Sequence, residues 1–356
     1  MSLPDQPPPR KFRRLGLYLP FAAALILAIA WSGLWLWARN EATTRMDAAV
    51  AGLKEAGYDI SWKSRSVGGY PFRLNIALTE ARVREPSGWG LDAPLFEGQS
   101  QMHAPGHWML AAPQGLTFVR PTGGPVTMKG EMIRASLKDL DKHPPSFSFQ
   151  GSNLTFQPAA GAQPFGLTAA KLVEFHLRPG PDDEGGVFVR VDEGRARLSG
   201  LFGRIAGDKP VSIVWNSTLS KMSAFRGADW PTSVRAWSDA GGAMSVRQAG
   251  VTAGEAVLGS NSGTLTVGAD GRLRGMLDAT LRQAPMALGA MGQTGVIRPE
   301  AAEAAAAVAT ARQGTGDAAR ATLYFQAGQT TLGPVAIGPS PKIYSLHGNN
   351  ADLPSG

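Results

Sequence analysis

Residues Arg272-Leu273-Arg274-Gly275-Met276-Leu277-Asp278-Ala279-Thr280-Leu281-Arg282 alternate apolar or small side chains with charges. An extended strand sends successive side chains to opposite faces. Leu273, Leu277 and Leu281 therefore share one face with Gly275 and Ala279, and Arg272, Arg274, Asp278 and Arg282 share the other. One dry and one wet face is the pattern of an antiparallel sheet covered on one side. Asp270-Gly271 precedes this run, and such a pair between two alternating segments is a hairpin signal, because the favoured turn needs positive φ at both central positions.

The alternation recurs outward from this point, in Phe72-Arg73-Leu74-Asn75-Ile76-Ala77-Leu78, Phe147/Phe149, Val173/Phe175/Leu177, Val187/Val189/Val191 and Val211/Ile213/Trp215. Turn signals separate these segments: Pro86-Ser87-Gly88, Pro105-Gly106, Thr122-Gly123-Gly124-Pro125, and the stretch Pro179 to Gly186. The reading gives roughly 16 to 20 short strands, and consecutive hairpins make a meander the economical topology. The expected fold is mainly β: a long curved antiparallel meander, either an open gutter or a partly closed sheet.

Three helices accompany it in this reading. The uncharged run Leu15 to Ala38 would be about 36 Å long at about 1.5 Å per residue, enough to cross a hydrocarbon core of about 30 Å. Tyr18 lies near one end and Trp31, Trp35 and Trp37 near the other, as interfacial aromatics do. The basic cluster Arg10, Lys11, Arg13 and Arg14 precedes the run, which argues for a cytoplasmic tail and an exported remainder. Ala28-Ile29-Ala30 has the small-x-small form of a cleavage site; apolar residues that continue through Gly33-Leu34-Trp35-Leu36-Trp37 favour a retained anchor. Met46, Val50 and Leu53 then mark a juxtamembrane helix ending near Gly57. Residues 299–312, rich in alanine, with Pro299 first, Glu300 and Glu303 early and Arg312 late, read as a helix bracing the sheet. The expected organisation is a cytoplasmic basic tail 1–14, a transmembrane anchor 15–38, a juxtamembrane helix 39–57, a periplasmic β-rich domain 58–346 and a polar tail 347–356. The expected location is the inner membrane, crossed once.

Composition narrows the chemistry. The chain is 43% hydrophobic and 18% charged, as a folded body is, and it has no cysteine, which removes disulfides, thiol catalysis and thiolate metal sites together. The net charge is +7; the arginines beyond the basic tail are scattered rather than clustered, and export argues against nucleic acid as a partner. His103 and His107 have a chelating interval, but Ala104-Pro105-Gly106 between them would break the helix that places two such rings together. Asp182-Asp183-Glu184 match no calcium loop and read as a solvated hairpin tip. No Gly-x-Ser-x-Gly elbow, phosphate loop or dinucleotide fingerprint is present; Gly289, Gly292 and Gly295 lack the required order. No enzyme, metal or cofactor is proposed from the sequence.

Gly69-Tyr70-Pro71-Phe72-Arg73-Leu74, after Gly68, reads as a corner that launches the first long strand against the preceding helix, with a ligand-contacting turn near the membrane as the functional alternative. With Tyr58-Asp59-Ile60-Ser61-Trp62 before it, and Leu332-Gly333-Pro334, Ile337-Gly338-Pro339, Pro341 and Tyr344 near the end, the chain resembles the exported Gram-negative proteins grouped as domain of unknown function 2125. That resemblance implies no activity. The layout is more loosely similar to AsmA-like envelope proteins, which implies lipid handling in an apolar groove but transfers no residue.

Few helices are available to cover many strands, so the dry face is expected to accept lipid or another amphiphile, in support of envelope biogenesis or lipid transport. Its expected lining is Phe72, Leu74, Ile76, Leu78, Phe147, Phe149, Val173, Phe175, Ile213, Trp215, Leu273, Leu277, Leu281, Leu323 and Phe325. Membrane lipids are the expected partners. The alternative is a structural adaptor with a self-filled β core and no ligand, whose edges recruit other envelope proteins.

Overall fold

The structure is a computed structural model that describes residues 15–142, 144–196, 209–253, 256–282, 318–332 and 335–344, with the isolated residues 300 and 303. Both terminal tails, and the helix expected over 299–312 apart from Glu300 and Glu303, lie outside the described residues.

The two helices expected at the N-terminus are one. Helix α1 (Leu15–Glu55) runs unbroken through Arg39-Asn40-Glu41, where the side chains turn polar. Polarity changes the solvent a helix prefers, whereas Arg and Glu are good helix formers, so nothing at this point breaks the backbone. Arg45 pairs with Glu41 one turn back at 2.7 Å. The helix closes on Gly57 as the spacing anticipates: the Tyr58 N–H reaches the Leu53 carbonyl and the Gly57 N–H that of Lys54, both at 3.0 Å, a Schellman closure. The described part is long and apolar enough to cross a membrane.

Among the described residues the strands form a single antiparallel sheet of eighteen members. Strands β1 (Asp59–Ser61) and β2 (Ser64–Gly68) both pair with β3 (Arg73–Arg84), whose other edge takes β4 (Gly90–Gln101). Here the plain meander gives way to a fork. The last residues of β4 pair with β5 (Ala104–Ala111) and the first with β6 (Leu116–Arg120). β6 continues to β7 (Gly124–Lys129) and β5 to β8 (Met132–Lys138), and both branches rejoin on β9 (Ser146–Pro158). Length explains the fork: β4 has 12 residues and β9 has 13, while β6 has 5 and β7 has 6, so two short pairs lie end to end between long neighbours.

From β9 the order is sequential: β10 (Leu167–Pro179), β11 (Gly185–Ala196), β12 (Val211–Leu219), β13 (Met244–Ala253), β14 (Ala256–Val267), β15 (Leu273–Arg282), β16 (Ala318–Gln326), β17 (Gln329–Leu332) and β18 (Val335–Pro339). The Asp270-Gly271 hairpin forms between β14 and β15, with Gly271 at φ +75°. In β15, Leu277 and Ala279 are buried, whereas Arg274, Met276 and Asp278 are exposed.

The sequence reading leaves residues 230–239 without a helix, and the structure places one there. Helix α2 (Trp230–Asp239) is capped by Asp229, whose carboxylate accepts the Thr232 N–H at 2.8 Å, and Pro231 occupies its first turn. Val234 and Trp237, both 2% exposed, pack with Leu219, Met222, Val267 and Tyr344, so α2 closes one end of the sheet.

Candidate functional site

Strand registers show what the alternation builds. Ile76 faces Gly98, then Leu110, Ala135, Phe149, Phe175, Val189, Trp215, Ala249, Ser260 and Ala279, one from each successive strand from β3 to β15 across the fork. Flanking rows hold Leu74, Trp108, Leu137, Phe147 and Leu177 on one side, and Leu78, Val173, Val191 and Ile213 on the other. Directly opposed residues share a face, so these expected groove residues line one continuous apolar surface. Leu277 pairs with Leu323 and Leu273 with Val267 further along it; Leu281 pairs with Leu258.

Burial varies along this surface. Ile133, Leu154, Phe156 and Val191 form one packed cluster, and Val246, Leu265, Leu277 and Phe325 another. Between and beside them Phe147, Phe149, Phe175 and Trp215 are half-buried, and Ile213 is 36% exposed.

Phe72 departs from the expectation. It lies ahead of β3, at the hairpin tip, 67% exposed, and is no part of the apolar row. The reason is the corner that precedes β3. Gly69 sits at φ +103°, and a Cβ there would stand 2.7 Å from the Arg73 carbonyl oxygen, so only glycine makes the turn. The corner rests on α1, as the structural reading of this motif anticipates, but on the apolar half of the helix rather than the juxtamembrane half. The Trp31 Nε1 donates to the Pro71 carbonyl and the Trp35 Nε1 to that of Arg73, each at 2.8 Å. Ser32 Oγ and the Tyr70 hydroxyl share a hydrogen bond at 2.9 Å, and the Trp35 ring meets Tyr70 edge-on at 5.5 Å. Lower down, Arg65 of β2 holds Asp47 of α1 at 2.5 Å, and the donated guanidinium hydrogen bond lowers the Asp47 carboxyl below its ordinary value.

These clips lay α1 across the apolar face and leave a cavity of about 640 Å³ between them. The helix contributes Leu34, Trp37, Ala38, Ala42 and Met46, with Glu41 and Arg45. Leu74 and Ile76 of β3, Ser100 and Gln101 of β4, Trp108 and Leu110 of β5, and Leu137 of β8 supply the sheet wall, and Met102, Pro105 and Leu140 complete it. Its size falls within the range of about 300 to 1,000 Å³ typical of small-molecule sites, and its walls are mainly hydrocarbon. Leu74 and Ile76 are the two expected groove residues that line it. The others, Phe72 excepted, continue the same face away from the helix.

A second cleft, of about 520 Å³, lies between the β3–β4 turn and α2, lined by Tyr58, Glu85, Trp89, Asp229 and Trp230 among others. The Trp230 N–H donates to the Glu85 carboxylate, which ties the two ends together. Burial raises the Tyr58 phenol, and the Glu85 and Asp229 charges add to the shift.

Two of the polar candidates, His107 and Asp183, are structurally engaged. His107 Nε2 bonds Ser136 Oγ at 3.1 Å, and burial lowers the ring's affinity for a proton. Asp182, Asp183 and Glu184 are exposed in the turn between β10 and β11, as the hairpin-tip reading expects, and the Asp183 carboxylate also accepts from the Ser223 N–H at 2.7 Å and hydroxyl at 2.9 Å, which lowers its proton affinity.

The model of a family described as an uncharacterized protein conserved in bacteria (DUF2125) matches residues 35–341, most of the chain. No curated protein and no solved structure matches it.

Proposed function

The chain belongs to the bacterial DUF2125 family, and from the cavity beside its apolar helix we propose a membrane-anchored protein that binds lipid or another amphiphile against its sheet. The proposed setting is the inner membrane, with the basic tail in the cytoplasm and the sheet in the periplasm, in support of envelope biogenesis or lipid transport. The basic cluster before the apolar run supports that orientation. The role proposed is binding rather than catalysis.

One observation carries the reading: Ile76 and Leu110, which line the cavity under α1, belong to an apolar row that continues, half-buried, through Phe149, Phe175 and Trp215. An acyl chain laid along it would remove hydrocarbon from water at about 25 cal/mol per Å². The adaptor reading draws on the two packed clusters of the face, against which Phe149, Val173 and Trp215 themselves pack.

A phospholipid with a photoreactive acyl chain distinguishes them when the full chain is irradiated in a bilayer. Adducts on the peptides of Trp108–Leu110 and Phe147–Phe175 are expected, and Leu137→Asp or Phe175→Asp should reduce them while circular dichroism stays that of a β protein. Adducts confined to Leu15–Ala38 would show lipid around the anchor alone and defeat the proposal.

A further inference from the structure

The corner Gly69–Phe72 is fixed to α1 inside the apolar run rather than beyond it. Trp31, which binds the Pro71 carbonyl, lies about 10 Å before Ala38 along the axis at about 1.5 Å per residue. Phe72 packs against Trp31 with ring centroids 6.1 Å apart, yet it is 67% exposed, and Tyr70 is 55% exposed. Both present large apolar surface at Trp31 and Trp35, and Leu27 and Leu34, about one helical turn to either side of Trp31, are exposed as well. A bilayer that receives Leu15–Ala38 therefore reaches this corner too.

We infer that the β2–β3 corner is a second membrane-inserted element, buried in the leaflet at the C-terminal end of the apolar run, with lipid acyl chains as the partner of Phe72 and Tyr70. The inference rests on the reading of α1 as a membrane anchor.

Two further features fit hydrocarbon. Backbone polar groups there must find partners within the protein, and four carbonyls of the corner have them: Gly69 accepts the Arg73 N–H at 2.9 Å, Phe72 the Met102 N–H at 3.0 Å, and Pro71 and Arg73 the two indoles. Pro71 has no N–H to satisfy. Arg73 is exposed, and its long stem can carry the charge to the headgroups while Phe72 stays among the chains. Placed so, the corner stands beside the helical wall formed by Leu34 and Trp37, and the leaflet itself borders the cavity.

The cysteine-free sequence permits a direct test. Single cysteines at Phe72, at Leu27 and at the exposed Asp182 in the β10–β11 turn are spin-labelled in the full chain in lipid nanodiscs, and collision with oxygen is compared with collision with a water-soluble nickel chelate. A second corner label at Gly68, where an added Cβ meets no atom within 4 Å, guards against local distortion. Both corner labels are expected to favour oxygen as Leu27 does, several-fold above Asp182. Corner labels that match Asp182 while Leu27 remains in lipid would overturn the inference and leave the anchor intact. Leu27 exposed to the chelate would overturn both.

Discussion

Trp35 is the one buried side chain among the described residues of α1, 7% exposed, and it holds the β2–β3 corner in two ways. Its indole donates to the Arg73 carbonyl at 2.8 Å and its ring meets Tyr70 edge-on. Trp35→Phe keeps an aromatic ring and removes the donor, at a cost of about 1 kcal/mol. Trp35→Ala removes the ring as well, at about 3–5 kcal/mol for a large buried aromatic. At about 1.4 kcal/mol per tenfold, detachment of the corner becomes about fivefold more frequent in the first variant. In the second the factor lies between about a hundred and a few thousand. Amide hydrogen exchange on the full chain reads this directly, in the peptide that carries the Arg73 N–H bonded within the corner to Gly69. A peptide from β13–β14 serves as the internal reference and should exchange alike in all three proteins. If Trp35→Ala leaves exchange over Gly68–Asn75 at the wild-type rate, the helix does not hold the hairpin, and the cavity between them has no fixed wall.

Three further outcomes are expected. Trp237→Ala, at a side chain 2% exposed whose Nε1 donates to the Ser220 carbonyl at 2.7 Å, should cost about 3–5 kcal/mol in denaturant unfolding, and Asp229→Ala about 1 kcal/mol through loss of the α2 cap. Asp47 and Asp183 both have carboxyls held below the ordinary value of 3.8, so the folded protein binds fewer protons there than the unfolded chain; their stabilisation is complete above that pH and is lost as pH falls through the depressed values. Asp183→Asn should therefore lower the unfolding midpoint near neutrality and converge with wild type in acid, and a constant difference across pH would contradict the assignment.

Much of the sheet is legible because its signal is local. A period of two needs only neighbouring residues, and the rows through Leu74, Phe175, Trp215 and Leu277 follow once consecutive strands pair. The α2 signals are also local, with Asp229 before Trp230-Pro231 and the pair Val234 and Trp237 on one helical face, but the segment is short and surrounded by strands. The β5–β8 fork has no local signature. It depends on the lengths of β4 and β9, which are not adjacent in sequence.

By itself the sequence determined the apolar helix, the β class and the single dry face, since each follows from the spacing of side chains along one stretch of backbone. Only the tertiary structure decided where the helix lies on that face and which residues it fastens. Trp31 and Trp35 meet Pro71 and Arg73 across some forty residues of chain, and whether such groups meet depends on the direction in which the helix leaves the sheet. That direction is set by the turn at Gly57, the pairing of β1 and β2 on β3, and the corner at Gly69 acting together, and no periodicity within any one of them specifies it.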